Sequence, residues 1–218
     1  NSHSIQLSDY SWYQKSLDYQ KTDHNRRLEY TMELKKQDQL AFTIRDQYIF
    51  LSSAFDPTRS ENGIPLPSDE GYNFNEWSLE YQSNVARLFN FSSEVSYGSF
   101  FNGTRFSVKG TTQFRVQPKL AMSLLWDYNQ IRLPNPYPSA NIILVSPKIE
   151  LTLNKKLFWS TLVQYSNQTE NLGINSRLQW RFAPLSDLFL VYNDNYYTRE
   201  FGPVYRSINL KLTYWLSL

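Results

Sequence analysis

Hydrophobic and polar residues alternate with a period of two along most of the chain, and turn-forming residues restart the alternation at intervals. Leu28, Tyr30, Met32 and Leu34 fall on one side of an extended segment, with Arg27, Glu29, Thr31 and Glu33 on the other. Leu120, Met122, Leu124, Trp126 and Tyr128 repeat the pattern, as do Leu157, Trp159, Thr161, Val163 and Tyr165. Ile174, Ser176, Leu178, Trp180 and Phe182 form a further run, and Ile208, Leu210, Leu212, Tyr214, Leu216 and Leu218 share one face of the last. Successive side chains of a strand point to opposite sides, so each segment reads as a strand with one apolar face. The pattern predicts twelve strands, near 9–20, 26–36, 40–51, 74–82, 88–98, 104–115, 120–130, 141–153, 157–165, 172–182, 188–196 and 205–218. No helical period of any length competes with it.

The expected connections alternate in length. Short turns fall at 37–39, 83–87, 116–119, 154–156 and 183–187, and longer ones at 52–73, 99–103, 131–140, 166–171 and 197–204. Short turns at one end, longer loops at the other and an even strand count are the signature of an up-and-down outer-membrane barrel. Most segments also reach the ~9–11 residues that a tilted membrane strand needs, beyond the ~5–6 usual in soluble sheets. Twelve strands spaced ~4.8 Å and tilted ~40° would close at a diameter of roughly 24 Å. The expected fold is therefore all-β: an antiparallel up-and-down transmembrane β-barrel, with 1–218 as one domain. The twelve strands either close alone or form the C-terminal part of a larger barrel.

The two faces divide by chemistry. The polar face, expected to line the lumen, collects Arg27, Glu29, Glu33, Glu76, Glu80, Glu94, Arg105, Lys109, Arg115, Asp127, Lys148, Glu150, Arg177, Arg181 and Lys211. Both signs are mixed, which suits a salt-bridged interior better than a single-sign selectivity ring. The apolar face carries Trp77, Tyr97, Trp126, Tyr128, Trp159, Tyr165, Trp180, Tyr192 and Tyr214 toward strand ends, where aromatic girdles meet the membrane interface. Asp46 breaks the pattern, since it shares parity with Phe42, Ile44 and Tyr48; a bulge turning it inward, or a wall without lipid at that point, would account for it.

Composition agrees with strands and removes several alternatives. Six Trp, sixteen Tyr and fourteen Phe against seven Gly describe a strand-rich, ordered chain. No apolar window is long enough for a transmembrane helix, yet barrel strands expose only alternate residues to lipid, so the mean hydropathy of -0.53 is compatible with a membrane. The absence of cysteine removes disulfide frameworks and thiolate metal sites. A formal charge of +2 makes no electrostatic case for nucleic acid. Asn1-Ser2-His3-Ser4 has neither a basic nor an apolar signal-peptide region, so any signal peptide is expected to be gone already.

Tyr97-Gly98-Ser99-Phe100-Phe101-Asn102-Gly103-Thr104-Arg105 and the block from Leu172 through Asn195 resemble the C-terminal barrel domain, of unknown function, in a family of Bacteroidetes surface proteins. In that family the barrel follows an N-terminal module like the family 9 carbohydrate-binding domains, and these 218 residues are expected to correspond to the barrel alone. The resemblance implies an outer-membrane location and brings no catalytic residues. The partners expected are outer-membrane lipid and the barrel-assembly machinery, whose terminal recognition signal the last strand resembles, with surface-assembly subunits or glycan as further candidates. No cofactor is expected.

Candidate chemistry is sparse. His3 lies in an expected N-terminal tail and His24, beside Asp23, in an expected loop. The segment 52–73 holds Asp56, Glu61, Asp69 and Glu70, oxygen ligands that match no calcium-loop spacing, and reads as a polar loop, lid or plug. Pro147 inside a strand should mark a bulge or an edge. The function expected is that of a non-enzymatic outer-membrane barrel acting as channel, anchor or subunit of a surface assembly. A soluble lipocalin-like carrier would need an apolar cavity. A membrane lipid-modifying enzyme would need a Ser-His pair on the outer face near the membrane boundary, which His24 alone does not provide.

Overall fold

A computed structural model describes residues 1–15, 18–60 and 63–216. It contains twelve strands: β1 (Ser2–Gln14), β2 (Gln20–Glu33), β3 (Gln39–Leu51), β4 (Glu70–Gln82), β5 (Phe89–Phe100), β6 (Gly103–Val116), β7 (Leu120–Arg132), β8 (Ala140–Asn154), β9 (Leu157–Ser166), β10 (Asn171–Ala183), β11 (Ser186–Tyr197) and β12 (Gly202–Thr213). They follow one another in chain order across a single antiparallel up-and-down sheet. Its contacts divide into two compact units: 1–85, 92–110 and 127–142 form the first, and 86–91, 111–126 and 143–218 the second.

In the first unit the pairing register sorts side chains into rows. On one face run Ile5, Tyr30, Phe42, Leu79 and Val95, then Leu7, Leu28, Ile44, Trp77 and Tyr97. Their neighbours on the other face are Gln6, Glu29, Thr43, Ser78 and Ser96, and Ser4, Thr31, Ala41, Glu80 and Glu94. Because the side-chain period is two, one register places the large apolar residues of these rows on one side and their charges on the other. In the second unit Leu151, Trp159, Leu178, Leu190 and Leu210 make an equivalent apolar row.

Several expectations need correction. The first strand is Ser2–Gln14, not 9–20, and β2 starts at Gln20. The serine-rich start of the chain alternates weakly, and it is the ladder with β2, from Ser2↔Glu33 onward, that makes it a strand. Asn1–Ser4 is accordingly no tail, and His3 and His24 both lie within strands. At the other terminus β12 stops at Thr213, leaving Tyr214 beyond its end, and Leu218 lies outside the described residues.

The alternation of loop lengths is weaker than expected. Strands run on into sequence that looked like loop, so Phe101–Asn102 alone joins β5 to β6, while 52–69 and 133–139 remain long. Pro147 sits within β8 with the β8–β9 register unchanged on either side, Val145↔Tyr165 and Lys148↔Leu162, so it makes no bulge in that ladder. Asp46 is not turned inward either: the β2–β3 register runs unbroken through Arg26↔Asp46, leaving Asp46 on the apolar side, where the apolar rows end.

Candidate functional site

The polar face of the first unit is a packed layer of charges. Glu76 on β4 is buried and receives Arg45 from β3 at 2.8 Å and Arg105 from β6 at 2.6 Å, with Ser96 Oγ at 3.4 Å. Arg105 also lies over the ring of Phe100, 4.5 Å from its centroid. Gly98 stands opposite Glu76, and a Cβ there would meet Asn75 O at 2.1 Å and Glu76 Cα at 2.6 Å, so only glycine lets the two strands approach at this point. Two like-charged pairs face each other directly, Arg27↔Arg45 and Glu80↔Glu94. Neighbours offset both: Arg27 bonds Glu29, and Lys109 reaches Glu94 at 3.0 Å. Glu33 accepts from Ser2 Oγ at 2.9 Å. Arg27, Glu29, Thr31, Gln39, Ala41, Glu80 and Gln82 line a small cavity of about 150 Å³.

Near the end of this face that bears the β3–β4 loop, the chemistry changes to a compact apolar cluster. Leu66 is fully buried, held by a two-residue bridge with Phe55 in which each N–H donates to the other's carbonyl, at 3.1 and 2.8 Å. Phe55, Tyr72 and Phe74 pack on Phe101, with centroids 5.0–5.5 Å apart. Phe74, Ile131 and Leu133 are buried as well. The carboxylate of Asp56 accepts from Thr58 N, Thr58 Oγ and Ser60 N at 2.9, 2.7 and 3.1 Å, an Asx-type turn that fixes the loop's shape. Among the described residues no three His, Cys, Asp or Glu side chains converge on a metal position, and Glu61 lies outside them.

The second unit carries a parallel arrangement. Lys148 pairs with Glu150 at 2.8 Å, Arg181 reaches Asp187 at 3.4 Å and Gln179 donates to the same carboxylate at 3.0 Å. Arg177 and Arg181 lie over Phe189 and Phe158, 6.0 and 5.8 Å from the ring centroids. Lys211 stands opposite Phe189. A cavity of about 470 Å³ opens among Ala121, Glu150, Thr152, Phe158, Ser160, Arg177 and Gln179. Arg115 is half-buried, its N–H bonded to the Leu88 carbonyl at 2.8 Å, and Asp127, in the first unit, accepts from Asn129 at 2.7 Å.

Of the aromatic residues singled out by sequence, Trp77, Tyr97, Trp159, Tyr165, Trp180 and Tyr192 share parity with the apolar rows. Trp77 and Tyr97 stand side by side in the last apolar row of the first unit. Trp159 and Trp180 lie toward the β8–β9 and β10–β11 turns, and Tyr165 and Tyr192 toward the opposite end. Trp159 Nε1 donates to Ser176 Oγ at 2.9 Å, and Thr161 shares that oxygen at 2.9 Å. Trp126 and Tyr128 are half-buried on β7, Tyr128 with Gln130 at 3.5 Å. Tyr214 has left the sheet and stacks on Phe182 at 6.3 Å.

Sequence reasoning missed Arg45 and the surroundings of Asp194. Arg45 belongs to the charged face because its parity is opposite to that of Phe42 and Ile44, a signal that was available. Asp194 is 1% exposed on the apolar side of β11, enclosed by Tyr192 and Tyr196 hydroxyls at 2.5 and 2.7 Å and by Arg206 Nε at 2.9 Å. It pairs across strands with Arg206, a relation that only the register reveals.

No family model and no curated protein sequence matches the chain. Solved structures similar to it include two of the KdgM porin. One, in complex with disordered oligogalacturonate, is 11% identical with a TM-score of 0.33; the other is 12% identical with a TM-score of 0.32. Each comparison covers 89% of this chain and 91% of the porin.

Proposed function

We propose that the chain forms the wall of a transmembrane β-barrel in a bacterial outer membrane, its charged face lining a channel and its apolar face meeting lipid. One observation carries this reading: the usual relation between burial and polarity is inverted. Among the described residues twelve polar or charged residues are buried against four large hydrophobic ones, while Leu28, Phe42, Trp77, Leu79, Leu178 and Leu190 stand exposed. In water such a surface would drive aggregation; in a bilayer it is the required one. Polar atoms on the apolar face support the same reading, because Trp159, Thr161 and Ser176 satisfy one another in the plane of the sheet. The resemblance of Tyr97–Arg105 and Leu172–Asn195 to Bacteroidetes surface barrels agrees with it. A soluble carrier would hold its ligand on an apolar interior, and here that side carries Glu76, Arg45 and Arg105.

Two measurements test the proposal. The refolded chain should float with lipid vesicles through a density gradient and resist extraction by alkaline carbonate; a monodisperse protein soluble without detergent would overturn the membrane assignment. In planar bilayers the protein should give discrete conductance steps. Their absence at every salt concentration and voltage would remove the channel and leave an anchor or assembly subunit.

A further inference from the structure

The geometry points to a second activity on the apolar face: an acyl-ester hydrolase site in which Ser11 is the nucleophile, His24 its base and Asp9 the positioning residue, with membrane-lipid esters as substrate class. It rests on the lipid-facing assignment of that face.

The residues come together through the β1–β2 register. Ser11 pairs directly with His24, and Asp9↔Arg26 is the next pair on the same face. Ser11 Oγ is 2.8 Å from His24 Nδ1, and His24 Nε2 is 3.6 Å from Asp9 Oδ1. Arg26 Nε holds the other carboxylate oxygen at 2.9 Å, which leaves Oδ1 turned to the imidazole. The His24 side chain is only 16% exposed, so its ring is confined between these two partners. The tautomer that accepts from Ser11 at Nδ1 carries its proton on Nε2, the nitrogen facing Asp9. Nucleophile, base and orienting acid thus form the relay of a serine hydrolase, with the two ring nitrogens exchanging their customary roles.

Position gives the substrate class. The row Leu7, Leu28, Ile44, Trp77 and Tyr97 is the last apolar one on this face; Asp9, Arg26, Asp46 and Asn75 make the next, and Ser11, His24, Tyr48 and Asn73 the one after. Rows two residues apart on a tilted strand differ by ~5 Å in height. The site therefore lies within about 10 Å of the hydrocarbon edge, the zone of lipid ester groups and headgroups. Lys21, 4.7 Å over the ring of Tyr48, adds a cation beside this site for an anionic headgroup.

The reaction balances with water as co-reactant. Ser11 Oγ attacks the ester carbonyl carbon while its proton passes to His24 Nδ1, and the charge of Asp9, 3.6 Å from Nε2, stabilises the imidazolium. The ester C–O bond breaks, the leaving alkoxide takes the proton, and the acyl group remains on Ser11. Water, deprotonated by His24, then releases the fatty acid and restores the serine.

The test uses the full chain in detergent micelles, with a fluorophosphonate probe, a short-chain nitrophenyl ester and phospholipid vesicles. The probe should label Ser11, identified by mass spectrometry of the digest. Labelling should vanish in Ser11→Ala and His24→Ala and persist in Ser8→Ala, a serine on the opposite face. His24→Ala should slow ester hydrolysis by at least about 10²-fold, the contribution of a positioned general base, and Asp9→Asn should lower kcat with KM unchanged. Unlabelled Ser11 in a sample whose far-UV circular dichroism shows the sheet intact, or labelling retained in Ser11→Ala, would overturn the site. Vesicle flotation is read separately. Flotation without labelling overturns the hydrolase and leaves the membrane wall standing, whereas labelling without flotation or phospholipid turnover overturns the lipid substrate.

Discussion

Glu76 illustrates how a single residue organises the charged face. Its carboxylate is buried between Arg45 and Arg105, so removing it leaves two guanidinium groups facing each other with their shared counter-ion gone. Breaking a fully buried ion pair costs about 3–5 kcal/mol; with both arginines about one-third exposed, Glu76→Ala should cost roughly 2–3 kcal/mol in urea unfolding of the micelle-bound protein. A loss below about 0.5 kcal/mol, typical of exposed pairs, would mean that water already screens the cluster. Gly98→Ala should destabilise by about 1–3 kcal/mol through the opposite effect, overpacking against the β4 backbone at Asn75 and Glu76, and the same titration measures it. The charge of Glu76 and its inward parity were legible in the sequence, and so was the inward parity of Arg45. The bond to Arg105 was not, because it joins residues on different strands through a register that alternation alone leaves free. Ser11 and His24 make the same point more strongly: thirteen residues apart, they pair because β1 ends at Gln14 and β2 starts at Gln20, whereas alternation alone runs the first strand to residue 20 and leaves His24 in a loop.

Alternation within a strand carries one bit, the face, and it was enough for the interior elements. The expected limits of β3, β7, β9 and β10 differ from the observed ones by a residue or two, because each has bulky side chains on one face and polar ones on the other. It failed where that contrast fades: in β1, where serines interleave with apolar residues, and at Glu70–Asn73, where polar residues continue β4 beyond the apolar rows. The loop-length alternation weakened for the same reason, since strand ends extending past the apolar band look like loop in sequence. The face assignment is testable on adjacent residues. Phe42 sits between Leu40 and Ile44 on the apolar side, whereas Ala41 faces the cavity lined by Glu29 and Glu80. Phe42→Arg should impair refolding into vesicles by about 2–4 kcal/mol near the bilayer midplane, and Ala41→Arg, placed among carboxylates, should cost less than half of that. Equal penalties in a refolding titration would invalidate the lipid-facing assignment.

At the level of the whole sheet the decisive quantity is the hydrogen bonding of its two outermost strands. β1 stands at one end of the strand order and β12 at the other, so each ladder accounts for one side of the strand. Ile5, Leu7, Ile208 and Leu210 are also more exposed, at 68–74%, than the apolar residues of interior strands such as Leu28 at 43% or Leu190 at 41%. Hydrocarbon tolerates no row of free N–H and C=O groups, because each unsatisfied group costs several kcal/mol. In a bilayer, then, the side of β1 turned away from β2 must be paired with a further strand, and β12 must be paired on the side turned away from β11. Amide hydrogen exchange on protein reconstituted in lipid nanodiscs distinguishes the cases without assuming which strand supplies the bonds. Consecutive residues of β1 should be protected from Ile5 through Asp9, since both sides of the ladder are then satisfied. An alternating pattern, with every second amide of that stretch exchanging at the rate of an open chain, would reveal a free edge, and a sheet with a free edge cannot be the membrane wall proposed for it.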